Sequence, residues 1–141
     1  MRQERGITLM TVLIFVALTA GVYCLFAFGS AYWDNFEVNA ILRQAANECY
    51  REPSDPAVRQ FIINRLHDNF DVEVDDGYGR TAKRLALVFD DSDLQIVRTQ
   101  VPRAVTISFT YQRKVKLPLV DQERFVTFND RAEQDLSPVK W

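Results

Sequence analysis

From Gly6 to Trp33 the chain runs for 28 residues without an Asp, Glu, Lys, Arg or His. Wound as an α-helix, such a run is about 42 Å long at roughly 1.5 Å per residue, more than the ~30 Å hydrocarbon core of a bilayer requires. Leu9, Val12, Leu13, Ile14, Phe15, Val16, Leu18, Val22, Leu25, Phe26 and Phe28 lie all round that helix, whereas a surface helix of a water-soluble domain keeps its apolar residues on one stripe. The run reads as a membrane-spanning helix over residues 6–33. A secretory signal peptide has a similar basic flank, but its apolar region is roughly 7–15 residues long and ends at a small-residue cleavage site. Ala20 and Gly21 offer such a pair, yet the apolar run continues past them to Tyr32 and Trp33.

The flanks orient the span. Arg2 and Arg5, opposed only by Glu4, precede it, and Asp34 and Glu37 follow it. Because positive charge is retained on the cytoplasmic side, residues 1–5 are expected in the cytoplasm and everything after Asp34 outside, in a bacterium in the periplasm. Arg2 and Arg5 then anchor the inner interface. Tyr32 and Trp33 anchor the outer one, where amphipathic rings favour the headgroup level.

The remaining 108 residues suffice for one small core. The net charge of −2 divides into +1 for residues 1–33 and −3 for the rest. A weakly acidic exported part gives no electrostatic footprint for nucleic acid. The two cysteines fall on opposite sides of the boundary, Cys24 in the span and Cys49 beyond it. An intrachain disulfide is therefore not expected, and Cys49 reads as a small apolar side chain on a helix face.

Beyond the span, Phe36, Val38, Ile41, Leu42, Ala45, Ala46 and Cys49 recur at helical spacing, so the helix is expected to continue out of the bilayer. Pro53 ends it. Ser54-Asp55-Pro56 starts a second helix, with Asp55 as N-cap and Pro56 at the first helical position, and Val58, Phe61, Ile62, Leu66 and Phe70 as its apolar stripe. From Phe70 the period changes. Val72 and Val74 alternate with acids up to the turn Asp76-Gly77-Tyr78-Gly79; Leu85–Phe89 and Leu94–Val97 read as short strands. The clearest strand is Val105–Leu117. Val105, Ile107, Phe109, Tyr111, Val115 and Leu117 share one parity, interrupted only by Arg113, and polar residues fill the other. Pro118–Gln122 is a loop, Phe125–Phe128 a partner strand, and residues 132–141 a tail without periodicity that is mobile or laid over the sheet. The expected fold is α+β: a membrane helix extended into a helical pair that packs on a small antiparallel sheet, with residues 34–131 as the exported domain.

Two resemblances bear on function. The leader Arg2-Gln3-Glu4-Arg5-Gly6 followed by Ile7-Thr8-Leu9-Met10 resembles the class III leader of type IV pilins and pseudopilins. The resemblance implies cleavage between Gly6 and Ile7 by a prepilin peptidase and packing of the helix in a filament core. That family usually carries a glutamate five residues into the mature chain, where this sequence has Thr11. The same leader, the exit Tyr32-Trp33-Asp34-Asn35-Phe36 and the segment Thr110–Pro118 also resemble a group of small bacterial inner-membrane proteins of unknown function, typically encoded beside the leader peptidase. This second likeness covers more of the chain and ranks first.

Chemistry is sparse. His67 is the sole histidine and sits near the end of the second helix, where as a cation it would complement the helix dipole. One His with one exported Cys cannot supply paired zinc ligands. Asp71-Val72-Glu73-Val74-Asp75-Asp76-Gly77 approaches a calcium loop, but its glycine comes one residue late and its twelfth position is Ala82. Gly77-Tyr78-Gly79-Arg80 lacks the Lys-Ser/Thr ending of a phosphate loop. Lys83-Arg84, and Arg113-Lys114 with Lys116, are short basic clusters that could meet anionic headgroups if they face the membrane. No catalytic, cofactor-binding or metal residue is assigned. The expectation is a non-enzymatic, single-pass envelope protein whose partners are the lipid bilayer and a protein bound by the exported domain. The alternative is a pilin-like subunit that self-associates through residues 7–33.

Overall fold

The computed structural model describes residues 4–138, and side chains from Thr8 onward. Arg2 and Trp141 lie outside the described residues, and of Arg5, Gly6 and Ile7 only the backbone is described, within the first helix. The architecture is α+β, as the sequence implies. The elements are α1 (Glu4–Glu48), α2 (Asp55–Phe70), β1 (Asp71–Asp75), β2 (Thr81–Leu85), β3 (Leu87–Val88), β4 (Leu94–Gln100), β5 (Arg103–Leu117) and β6 (Gln122–Asp135), with a 3₁₀ turn at Asp91–Asp93 before β4.

α1 is one unbroken helix of 45 residues, about 67 Å long. Its two halves meet different surroundings. Leu9, Leu13, Phe15, Leu18, Leu25 and Phe26 are exposed, whereas Ala27, Ala31, Val38, Ile41, Leu42, Ala45, Ala46 and Cys49 are buried. The exposed part, 8–26, has the length and apolar character of a membrane span. The contiguous core begins at Ala31, three residues upstream of Asp34, with Phe28 packed against it, so it extends into the stretch assigned to lipid from sequence; Ala27 is buried as well. The reason is size: Ala27 and Ala31 let the sheet approach the helix closely. A chain begun at Asp34 loses Ala31 and the partly buried Phe28. It is expected to be about 1–3 kcal/mol less stable to urea than one begun at Phe26.

The principal sheet is built on β5, the strand with the strongest alternation. β6 pairs with it antiparallel along nearly its whole length, from Ala104↔Asp135 to Leu117↔Gln122. The other side of β5 is shared by β4, from Leu94↔Phe109 to Gln100↔Arg103, and by the two residues of β3, Leu87↔Arg113 and Val88↔Gln112. Val105, Ile107, Phe109, Tyr111 and Val115 are buried against the helices, and the opposite parity faces water. α2 places Val58, Ile62, Leu66 and Phe70 in the same core.

Three boundaries differ from the sequence reading. Ser54, not Asp55, is the N-cap residue of α2, and Asp55 enters the first turn, where its carboxylate is bound by Arg98. The Leu85–Phe89 run divides: Leu85 ends β2 and Leu87 starts β3, because one apolar run serves two sheets. The partner strand extends from Gln122 to Asp135, so residues 132–135 belong to the sheet rather than to a tail. Ala132 is buried opposite Ile107, and polar neighbours had concealed its parity. β1 and β2 form a separate hairpin from Asp71↔Leu85 to Asp75↔Thr81, exposed on both faces apart from Leu85. Gly77 and Gly79 close its turn at φ 78 and 74, values that suit glycine.

Candidate functional site

Beyond the apolar run of α1, Asp34, Asn35 and Asn39 face β5 and β6. Arg113 is the residue that interrupted the apolar parity of β5, and its Nε donates to Asp34 Oδ2 at 2.7 Å. Both side chains are mostly covered, at 23% and 18% exposure. The basic residue in an apolar row is thus placed to meet the first carboxylate after the apolar run.

One pleat along, Asp130 of β6 is 7% exposed, the buried charged residue among the described residues. Asn39 Nδ2 donates to its Oδ1 at 3.0 Å. Asn35 turns its Nδ2 toward the same carboxylate, at 2.8 and 3.1 Å, and lies 2.8 Å from the Tyr111 hydroxyl. In the opposite orientation the amide oxygen would face carboxylate oxygens, which only accept. The Asn35 amide thus joins the Tyr111 hydroxyl to the Asp130 carboxylate. The Tyr111 ring stacks between Phe109 and Phe128, with centroids 5.1 and 5.4 Å away, and Tyr32 meets Phe128 edge-on at 5.6 Å. Burial pushes the Asp130 carboxyl above the usual range, against the lowering effect of the Asn39 bond and the neighbouring Tyr111 hydroxyl. Burial likewise raises the Tyr111 phenol, reinforced by the charges of Asp130 and Asp34. The phenol therefore stays a donor. This junction fixes the helix in rotation and register on the sheet, since a shift by one residue would leave several buried polar groups unpaired.

A second polar tie holds the other end of the domain. Arg98 occupies the inward parity of β4 after Leu94 and Ile96. Its guanidinium binds Asp55 and donates to the carbonyl oxygens of Cys49 at 3.4 Å and Glu52 at 3.0 Å. α1 has no basic residue in its last turn, so the sheet supplies a cation just beyond its C-terminal end. Arg59 of α2 donates to the carbonyl oxygens of Asp91 and Leu94. Arg51, Arg98 and Arg103 line a shallow groove beside Cys49. The Cys49 thiol is pushed up by burial, with Arg98 acting the other way, which keeps it a thiol rather than a nucleophile.

The sequence-derived positions are dispersed. Gly6 and Ile7 lie in the helical backbone of α1. Tyr32 and Trp33 are largely exposed; Trp33 stands 6.4 Å from Phe36. His67 lies 2.8 Å from Asp71, one helical turn on, so a carboxylate joins the helix end as its partner. The calcium-like segment forms β1 and its turn, where Asp75 and Asp76 accept from the backbone of Gly77, Tyr78 and Arg80. Among the described residues no group of three His, Cys, Asp or Glu side chains could hold a metal ion. Cys24 and Cys49 are both free. Asp130 and Arg98 were missed from sequence, although each stands at an inward parity: Asp130 between Phe128 and Ala132, Arg98 after Ile96. A charge on an apolar row was the available signal.

No family model, curated protein or solved structure matches the chain.

Proposed function

We propose that this is a single-pass, membrane-anchored envelope protein, with its N-terminus in the cytoplasm and its α+β domain exported as a non-enzymatic module that binds another protein. The observation that carries this reading is the continuity of α1: one helix has an exposed apolar half and a half buried in the domain core. A free signal peptide has no need of such a joint. The Asp34–Arg113 and Asn35–Asn39–Tyr111–Asp130 junction sits at the joint and would hold the domain in a fixed pose on its anchor. The projecting β1–β2 hairpin is the candidate contact surface for a protein partner. Val72 and Val74 are exposed along it and Tyr78 at its tip is 91% exposed, and a lone two-stranded hairpin is only marginally stable in water.

Topology is tested with reporters fused after Trp141, which should be active outside the cytoplasm. Cys49 is too well covered to serve as a labelling site, so Tyr78→Cys is the position for a membrane-impermeant thiol reagent on spheroplasts. Labelling only after lysis would reverse the orientation. On the hairpin, Val72→Asp with Val74→Asp should change unfolding free energy by no more than about 0.5 kcal/mol per site, while reducing recovery of a cross-linked partner.

The pilin-like alternative draws on the leader Arg5-Gly6-Ile7 and on the long helix that carries a sheet-backed head. It requires cleavage after Gly6 and release with surface filaments. Intact-mass analysis of the native protein, with blotting of sheared cells, separates the two. Retention of residues 1–6 in the membrane fraction supports the anchor. An N-terminus at Ile7 together with recovery among sheared filaments establishes the subunit.

A further inference from the structure

We infer that the tip of the β5–β6 hairpin, Pro118-Leu119-Val120, inserts into the outer leaflet of the same bilayer that α1 spans, giving the domain a second attachment to lipid. The inference rests on the anchored reading of α1. Its starting point is placement: Leu119 lines a groove with Val16, Thr19, Ala20 and Tyr23 of α1. A span of about 20 residues from Ile7 ends near Phe26. The groove residues Thr19–Tyr23 lie roughly 5–10 Å below that level at 1.5 Å per residue. A hairpin that reaches them must enter the apolar layer. That depth is the one at which interfacial amphipathic segments rest.

The side chains fit that position. Leu119 is 91% exposed and Val120 is exposed beside it, at a turn where water-facing hairpins ordinarily carry Gly, Asn or Asp. Leu119 has φ 111, a left-handed backbone that a branched residue adopts at a cost. The arrangement presents an apolar side chain outward where a polar one would suit water better. Along β5, Lys116 is three residues from Leu119, about 10 Å at strand spacing, which brings it level with the headgroups; Lys114 follows. Both are substantially exposed and are paired with acids of β6 and the loop, Lys114 with Glu123 and Lys116 with Asp121. These pairs limit insertion to the three tip residues. On the helix side, the Tyr23 hydroxyl is sealed from solvent without a hydrogen-bond partner. Tyr23 and Leu119 of the hairpin tip line the same groove.

The test uses the full-length protein in vesicles of phosphatidylcholine and phosphatidylglycerol whose acyl chains carry nitroxide quenchers. An environment-sensitive fluorophore is attached at Leu119→Cys, Leu13→Cys or Tyr78→Cys, after Cys24→Ser and Cys49→Ala remove the native thiols. All three labelled sites are exposed, so the probe does not disturb the core. Quenching of most of the emission at both Leu13→Cys and Leu119→Cys, strongest at 119 with shallow nitroxides, and none at Tyr78→Cys is the expected result. Quenching at Leu13→Cys with Leu119→Cys as bright as Tyr78→Cys would overturn the hairpin insertion and leave the anchor intact. An unquenched Leu13→Cys would overturn the anchor, and the insertion with it.

Discussion

Phe109→Ala should lower the unfolding free energy of the domain by about 3–5 kcal/mol, the range for emptying a buried aromatic site. Phe109 is fully buried at the centre of β5, with Phe89 edge-on at 4.9 Å and Tyr111 stacked at 5.1 Å. It also stands opposite Leu94 and Asp130, one on each neighbouring strand. Its loss removes contacts to both neighbouring strands and to the ring that positions the Tyr111 hydroxyl. Thr110→Ala, one residue on and on the wet face, is the internal comparison and should cost no more than about 0.5 kcal/mol. Chemical unfolding followed by circular dichroism reads both. A costlier Thr110→Ala would mean that the buried and wet faces of β5 are exchanged.

The helices and β5 were legible because each carries a long periodic pattern. α1 combines an apolar run with a helical stripe ending at Cys49, and β5 alternates over a dozen residues. The rest was harder for physical reasons. β6 is equally long, but its inward row contains Arg124, Asp130 and Gln134, so only Phe125–Phe128 read as a strand, and Phe125 in fact faces outward. β2 is exposed almost throughout and is specified by its pairing with β1 rather than by burial. The junction was hidden for a related cause. Asp34 and Asn35 looked like the ordinary polar exit of a span, and Arg113 like a lapse in a strand; only the register of β5 on α1 shows that these exceptions meet.

Asp130→Ala should cost about 2–4 kcal/mol, because it removes the acceptor shared by Asn35 and Asn39. Each buried donor left unpaired costs about 1–3 kcal/mol. The sum is reduced because water can reach the vacated space and because the buried carboxylate is itself penalised. Asp130→Asn keeps the shape and one acceptor oxygen and should fall between wild type and alanine. The pH dependence identifies the charge. Asp130 has a folded-state pKa raised above its ordinary value of 3.8, with burial as the largest cause. As pH rises from that value toward the folded pKa, the unfolded chain gives up the proton first, so the folded state binds more protons and stability falls across the window. Below it, the contribution is fully present. The stability difference between wild type and Asp130→Asn should therefore move in favour of wild type on acidification through that window. Movement toward Asp130→Asn would mean that the amide donors hold the carboxylate ionised more strongly than burial opposes it, and that the junction is an anion site rather than a buried acid.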